Sequence, residues 1–535
     1  MAVSLVSLGF AVAQIKGHFV SAPVLERDYG PATVSGRVIG IELFPKGARV
    51  LLDRVALRRI FAVQTPERVR VRLRAGDTPD VGSRISVYAK LMPPGGPAAP
   101  GAYDFQRHAW FAKLGPFGFA FGKTRQLEEQ PAVWRDQIAL WVTGVRQRVA
   151  GRIRAAAPGQ GGAVAAALVT GDRSGISRDT LSAMRDSGLA HLLAISGLHM
   201  GLVAAILFFG LRTLLALSER LALFYPIKKW AAAAALVGGF AYLVLTGGTI
   251  PTQRAFLMTG LVLVAVLLDR TAISMRLVAW ASPGILLIAP ESLLSASFQM
   301  SFAAVVAFVA VYEDRGRLFG TSGAGGPVRR AGVYNGGVAL TTIVAGAATG
   351  IFAMYHFGRI AHFGVAANLL AVPITAFWIM PWAVIAMALM PFGLESLALA
   401  PMAWGIDGVL GIARFVVSWP GAVGFTPAMP TIGLAAAAIG GLWLCLWRRR
   451  WRYIGLAGVV AGIVSTMMVV TPDILVSGDG RLMAVRNLDG ALVLSSVRRE
   501  KRTAKTWAER ALQSIGLIRF TRMLDRCKRF QQIAI

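Results

Sequence analysis

The feature that most limits what this chain can become is a repeated apolar run. A hydrocarbon core of roughly 30 Å takes about 20 apolar residues in helical form. Such runs recur near 189–217, 230–246, 252–268, 277–290, 293–312, 333–355, 363–389, 398–418, 430–447 and 452–470. Only helices and closed barrels satisfy their backbone polar groups in lipid, so the pattern predicts a helical bundle that crosses a membrane many times. A shorter apolar segment, Ser4–Ile15, ends at Lys16 and brings the expected total to about eleven spans. The 277–290 run is short. The 363–389 run holds Pro373 and Pro381 and is expected to be broken or re-entrant.

The charge is unusual for so apolar a chain. Of 535 residues, 55% are hydrophobic and 16% charged, yet the formal net charge is +29. Basic residues collect in cytoplasmic loops, and a basic excess also suits a polyanionic partner, either lipid headgroups or nucleic acid. Span parity separates the two. With the N-terminus in the cytoplasm, the inner loops hold Arg220, Lys228 and Lys229; Arg270 and Arg276; Arg315, Arg317, Arg329 and Arg330; and Arg448, Arg449, Arg450 and Arg452. The short outer loops then hold Arg359 alone. This orientation puts the segment before the second span, and the C-terminal tail, outside: periplasmic in a Gram-negative cell.

That outer segment changes character. Alternating patterns over 32–43, 48–57, 68–74, 84–91 and 117–121 read as short strands, with turn formers between them. Five strands in this span suit a small antiparallel barrel, an OB-fold being the leading candidate. Between Arg37 and Arg125 it carries sixteen Lys/Arg against six Asp/Glu. Topology does not require that excess, so anionic lipid or DNA becomes the expected cause.

Arg68, Arg70, Arg72 and Arg74 alternate with Val69, Val71 and Leu73. On a strand, alternate side chains share a face. Four guanidinium groups in a row can follow a phosphate backbone; the plainer reading is a solvated face beside lipid headgroups. Residues 133–153 then switch to helical period, with Trp134, Ile138, Trp141, Val145, Val149 and Ile153 on one stripe. A helix in the membrane interface and a helix packed on the barrel fit this equally.

Polar groups inside spans mark water-filled paths or protein contacts. His191, Ser196 and His199 lie in the 189–217 run, where His191 and His199 share a helix face and Gly197 and Gly201 allow close helix approach. Arg254, Gln299, Ser301 and Asn368 are further channel-lining candidates, and Asp407 and Arg414 are spaced to meet on one helix face. No catalytic residue, metal site or cofactor is indicated. The chain has no GxSxG or Walker A motif and no Cys/His ligand spacing, and Cys445 and Cys527 are not expected to pair.

Taken together these segments resemble the ComEC competence-protein family, the inner-membrane DNA channels of natural transformation. The resemblance is carried by Ala167–Arg173 with Ser187–His199, then Ile250–Ala255, Pro290–Leu293, Ser297–Phe302, Tyr355–Arg359 and Ala367–Pro373, in that order. Pro100–Phe105 resembles the segment that closes the family's periplasmic OB domain. The resemblance implies a periplasmic domain that delivers one DNA strand to a membrane channel, with a periplasmic DNA receptor and cytosolic strand-handling proteins as partners. Many members also carry a metallo-β-lactamase-like domain. Here its ligands are missing and only remnant strands over 473–494 and a basic tail with Arg498, Arg499, Lys501 and Arg502 are expected, so the chain is not expected to be an enzyme. Measured against the family, the N-terminus is also expected to be short of the spans that often precede the OB domain, so the expectation is either a reduced member that borrows a nuclease or a truncated remnant.

The expected organisation is a membrane segment over 1–30, the OB-like domain over 31–125, an interfacial helix and connector over 126–186, the channel over 187–470 and a short tail over 471–535. The expected function is transport of single-stranded DNA across the cytoplasmic membrane. A non-transporting remnant or scaffold, and a transporter of another solute, are the alternatives. The oligomeric state is left open.

Overall fold

The computed structural model describes residues 2–44, 47–58, 60–99, 101–128, 134–270, 275–319, 327–469, 472–487, 491–496 and 500–510. Among them, nine helices are long and apolar enough to cross a membrane: Val3–Val20, Gly197–Ala216, Ile227–Leu245, Ile250–Leu267, Ala296–Glu313, Gly336–Phe357, Gly364–Phe392, Glu395–Val417 and Arg450–Met468. Two shorter apolar helices are Val278–Ile288 and Thr431–Leu446. They fall on the expected runs with ends moved by a few residues, except that the 189–217 run becomes helical only from Gly197. Arg498, Arg499, Cys527 and the tail Met523–Ile535 lie outside the described residues.

The run containing both prolines is not broken. Helix Gly364–Ile374 passes through a wide turn, Thr375–Ile379, into Met380–Leu389. In that turn the Met380 N–H bonds to the Thr375 carbonyl, one residue further than in an α-helix. Local widening of this kind lets a membrane helix continue past proline.

The chain forms two compact units. The first comprises 1–94, 108–346 and 361–423; the second comprises 95–107, 347–360 and the residues from 424 on.

In the first unit the strands are β1 (Tyr29–Phe44), β2 (Gly47–Leu57), β3 (Arg68–Arg72), β4 (Arg84–Met92), β5 (Leu114–Ala120) and β6 (Arg125–Leu127). Their order is β1-β2-β3-β5-β4-β6, and β1 also pairs along β4. The pairings of the first five strands therefore return to their start. The expectation of a purely antiparallel sheet fails at one place. β5 enters between β3 and β4 instead of following β4 by a hairpin, so β3 and β5 run parallel. Alternation sets the core: Val34, Val38, Val50, Leu52, Val69, Val71, Ile85, Val87 and Leu91 are buried among one another.

Helix Trp134–Ala156 joins these strands to the spans. In its first turn Asp136 accepts hydrogen bonds from Arg37 at 3.0 Å and Arg54 at 2.7 Å. The expected single stripe divides. Val149 and Ile153 enter the helical core, whereas Trp134, Ile138 and Trp141 are exposed. Helix Gly159–Thr170 follows, and every residue from Gly161 to Thr170 is buried. The sequence reading placed this segment in a connector. Twelve residues are too few to cross a bilayer, but their small side chains let helix Glu395–Val417 pack closely against them.

In the second unit, helices Thr431–Leu446 and Ile454–Val464 meet through glycine. A Cβ at Gly455 would strike the Gly440 carbonyl, and one at Gly462 would strike the Gly433 carbonyl. Three short strands, Ile474–Val476, Met483–Arg486 and Leu492–Leu494, lie where strands were expected over 473–494. Helix Lys501–Arg510 covers them with a buried Trp507, whose indole N–H donates to the Ala98 carbonyl at 2.6 Å.

Candidate functional site

The arginine row of β3 is arranged as its alternation predicts, but its members differ. Val69, Val71 and Leu73 are buried, and the arginines point to the outer face. Arg68 donates to the Ala112 carbonyl at 3.3 Å. The Arg70 guanidinium lies 5.7 Å from the centre of the Phe117 ring. Burial lowers its pKa from the usual arginine value, with Glu42 opposing. Arg72 is exposed at the strand end, and Arg74 lies past the strand, so the four do not form one continuous row.

The neighbouring strand, expected over 117–121, carries aromatic residues that are not among the candidates drawn from the sequence. Along β5 and one residue past its end, Phe117, Phe119 and Phe121 alternate with Gly118 and Ala120. Gly118 is required there, because a Cβ would meet the Lys90 carbonyl and the Leu91 side chain. The three rings are thereby aimed at the outer face. A two-residue aromatic period was the available signal.

A cleft of about 810 Å³ lies between the strands and the ends of the spans. Its strand side includes Glu42, Arg49 and Arg70; its helical side includes Arg146, Asp172, Arg173, Ile195, Thr246, Thr249 and Pro251, and His108 also lines it. Four arginines thus face two carboxylates. Arg49 is paired with Glu42 at 2.9 Å, and Asp172 accepts from Arg154 at 2.7 Å and from the Ser174 N–H at 3.0 Å. Burial raises the Asp172 pKa, but the Ser174 and Arg154 bonds together outweigh it and hold the carboxyl below its usual value. Burial, then the Arg70 charge, lowers the His108 pKa, which favours a neutral ring.

Arg146 sits where two helices end. Its Nε donates to the Leu245 carbonyl at 2.9 Å and its Nη2 to the Thr170 carbonyl at 3.0 Å. These are C-terminal carbonyls, where helix dipoles favour a cation. No carboxylate pairs with it among the described residues; burial lowers its pKa, opposed by the Asp172 charge. Gly247 lies against the guanidinium with φ +82°.

The polar residues of the spans fall into separate groups. The first needs a correction. His191 lies in a short turn, Ala190–Leu192, and the helix begins only at Gly197, so His191 and His199 do not share a helix face. His191 is exposed, its Nδ1 3.2 Å from the Gly188 carbonyl. Gly188, with φ +79°, breaks the predicted continuous helix and approaches Ala361 and Gly364. At the small-residue pair Gly197 and Gly201 a Cβ would meet nothing within 4 Å among the described residues.

Ser196 instead caps the helix. Its backbone N–H donates to His199 Nδ1 at 3.4 Å, and its Oγ lies 3.1 Å from the same nitrogen. Since an amide N–H only donates, Nδ1 is the acceptor and the proton of the neutral ring sits on Nε2. That Nε2 is buried and has no partner among the described residues. Elsewhere, Arg254 is buried and donates to Ser297 Oγ at 3.2 Å and to the Ser297 carbonyl at 2.7 Å. Its Nε has no partner among the described residues. Gln299 donates to the Leu293 carbonyl at 3.1 Å, and Ser301 is half-buried two residues further on. Asn368 donates to the Gly364 carbonyl at 2.8 Å, and its buried Oδ1 has no partner among the described residues. No hydrogen bond among the described residues joins the Ser196–His199 pair to Arg254 or Asn368. The expected Asp407–Arg414 contact is absent too. Both side chains are exposed, and Asp407 lies over Gly161.

Many apolar helices, with a strand domain and a basic cleft at their ends, define a polytopic helical membrane protein. The sequence model of the family described as Competence protein matches residues 168–451, more than half of the chain, and the chain belongs to that family. It is similar to ComE operon protein 3 of Bacillus subtilis (strain 168), 25% identical over 57% of this chain and 35% of that protein. It is similar to Competence protein ComA of Neisseria gonorrhoeae, 33% identical over 45% of this chain and 33% of that protein. The matched stretch thus spans about a third of the length of either relative, 35% and 33%. No solved structure matches the chain.

Proposed function

We propose that this chain carries single-stranded DNA across the cytoplasmic membrane during DNA uptake, taking the strand in at the cleft. The cleft's charge carries the reading: Arg49, Arg70, Arg146 and Arg173 face Glu42 and Asp172 beside the ends of the spans. A polyanion entering there meets cations that surrounding protein has partly stripped of water, where attraction is stronger than in bulk solvent. Membership of the competence family supports the same reading, as does the similarity to Competence protein ComA of Neisseria gonorrhoeae. The strand order β1-β2-β3-β5-β4 with its return to β1 supports an OB-type barrel as the receiving module. The buried atoms of His199, Arg254 and Asn368 that lack a partner among the described residues support polar stations along the helices.

In this reading the N-terminus is cytoplasmic, and the strand domain and the tail are periplasmic. A periplasmic DNA receptor supplies the strand, cytosolic strand-handling proteins remove it, and lipid surrounds the spans. The chain is a conduit without catalysis of its own. Labelled duplex DNA given to transformable cells that lack the chain is expected to stay in the periplasm, and cytosolic label should return on complementation. Undiminished cytosolic label without the chain would sink the conduit and favour a scaffold or remnant.

A further inference from the structure

The outer face of β3, β5 and β4 carries more than the cleft uses. Register partners on neighbouring strands share a face. Arg72 stands opposite Phe119, and Phe119 opposite Lys90. Arg70 stands opposite Phe117, and Phe117 opposite Met92. Beyond them the Phe121 N–H donates to the Tyr88 carbonyl at 2.9 Å. Phe119 and Phe121 are 40% and 39% exposed and Tyr88 51%. Their rings form one cluster, with centroids 5.1 Å apart for Phe119–Phe121 and 6.3 Å for Tyr88–Phe121.

Large rings on the wet face of a sheet gain little from folding, so a cluster of them points to a ligand. Cations are interleaved with the rings in the same rows. Lys90 is paired with Asp28 at 2.9 Å, whereas Arg72 has no carboxylate partner among the described residues. Arg70 belongs both to this face and to the cleft lining, so the two surfaces are continuous. A lipid-inserting edge would segregate an apolar tip from a basic rim. Alternating rings and cations instead match a ligand that alternates flat bases with phosphates.

We propose that Tyr88, Phe119 and Phe121 form a stacking platform for the bases of a nucleic-acid single strand, with Arg72 and Arg70 passing its phosphates to the cleft. The proposal rests on the reading of the cleft as the entry point. A duplex hides the faces of its bases, so the platform selects single strands.

The test uses the full chain in zwitterionic nanodiscs. Fluorescent oligothymidylate is compared with an abasic oligomer of equal phosphate number and with a duplex. The unaltered chain should prefer oligothymidylate. Phe119→Ala and Phe121→Ala should each weaken oligothymidylate binding about tenfold, leaving abasic binding unchanged. Phe119→Trp should retain the preference, and Arg72→Gln should weaken both single strands and flatten the salt dependence by about one charge. The platform is overturned if Phe119→Leu binds like the unaltered chain, if the alanine variants weaken both oligomers equally, or if they lose only binding to anionic vesicles, which would mark a lipid contact. If the platform variants bind normally while cytosolic uptake still needs the chain, the platform alone fails. If the unaltered chain binds neither oligomer and uptake proceeds without it, the entry reading fails as well.

Discussion

Arg146 holds the ends of two helices at once, which leaves no room for a side chain at Gly247. A Cβ there would lie 2.5 Å from the guanidinium carbon, and φ +82° is a conformation L residues avoid. Gly248 has φ +55° but its nearest neighbour is 3.9 Å from such a Cβ. Both alanine variants should therefore lose about 1–2 kcal/mol from the backbone. Gly247→Ala should lose more, because Arg146 must leave its carbonyls. Thermal unfolding in detergent checks this; equal midpoints for the two variants would mean the Arg146 bonds contribute nothing. At this scale the sequence was legible where alternation alone decides, as with buried Val69 and Val71 beneath Arg70. It was not legible where a backbone turn intervenes. Nothing in the apolar run before Gly197 announces that Gly188 takes a positive φ and puts His191 off the helix that bears His199.

Helices were easier to find than to place. Apolar length marks a span, but which face meets a neighbour depends on where small residues coincide on two elements. Gly197 and Gly201 have the spacing and no partner among the described residues, whereas Gly433 and Gly440 close on Gly455, Gly458 and Gly462. The buried helix Gly159–Thr170 escaped recognition because it is apolar enough for a core yet shorter than a membrane. The glycine contact supplies its own control on one helix. Gly440→Val should force the pair apart, costing about 1–3 kcal/mol for overpacking, while Gly441→Val, with nothing within 4 Å, should be nearly neutral. Cross-linking between cysteines placed on the two helices, together with thermal unfolding, would report the difference; a comparable loss from both variants would refute the contact.

The distribution of charge makes a prediction for the whole chain. In a background without Cys445 and Cys527, a cysteine replacing Arg74 should react with a membrane-impermeant maleimide added from the periplasmic side. One replacing Arg220 should react only after the inner membrane is opened. The reverse pattern would place the strand domain in the cytoplasm and overturn the proposed entry of DNA at its cleft. Run spacing and turn residues made the strand domain legible, but not the insertion of β5 beside β3, because strand order depends on contacts distant in sequence. Helix Trp134–Ala156 adds a constraint on how such domains can be exchanged. It is tied by Asp136 to Arg37 and Arg54 at one end and anchored by Val149 and Ile153 at the other. One inserted residue would turn those ends about 100° out of phase, and about seven would bring them nearly back. The module boundary for recombination between relatives therefore lies ahead of Trp134, or else falls at whole helical turns.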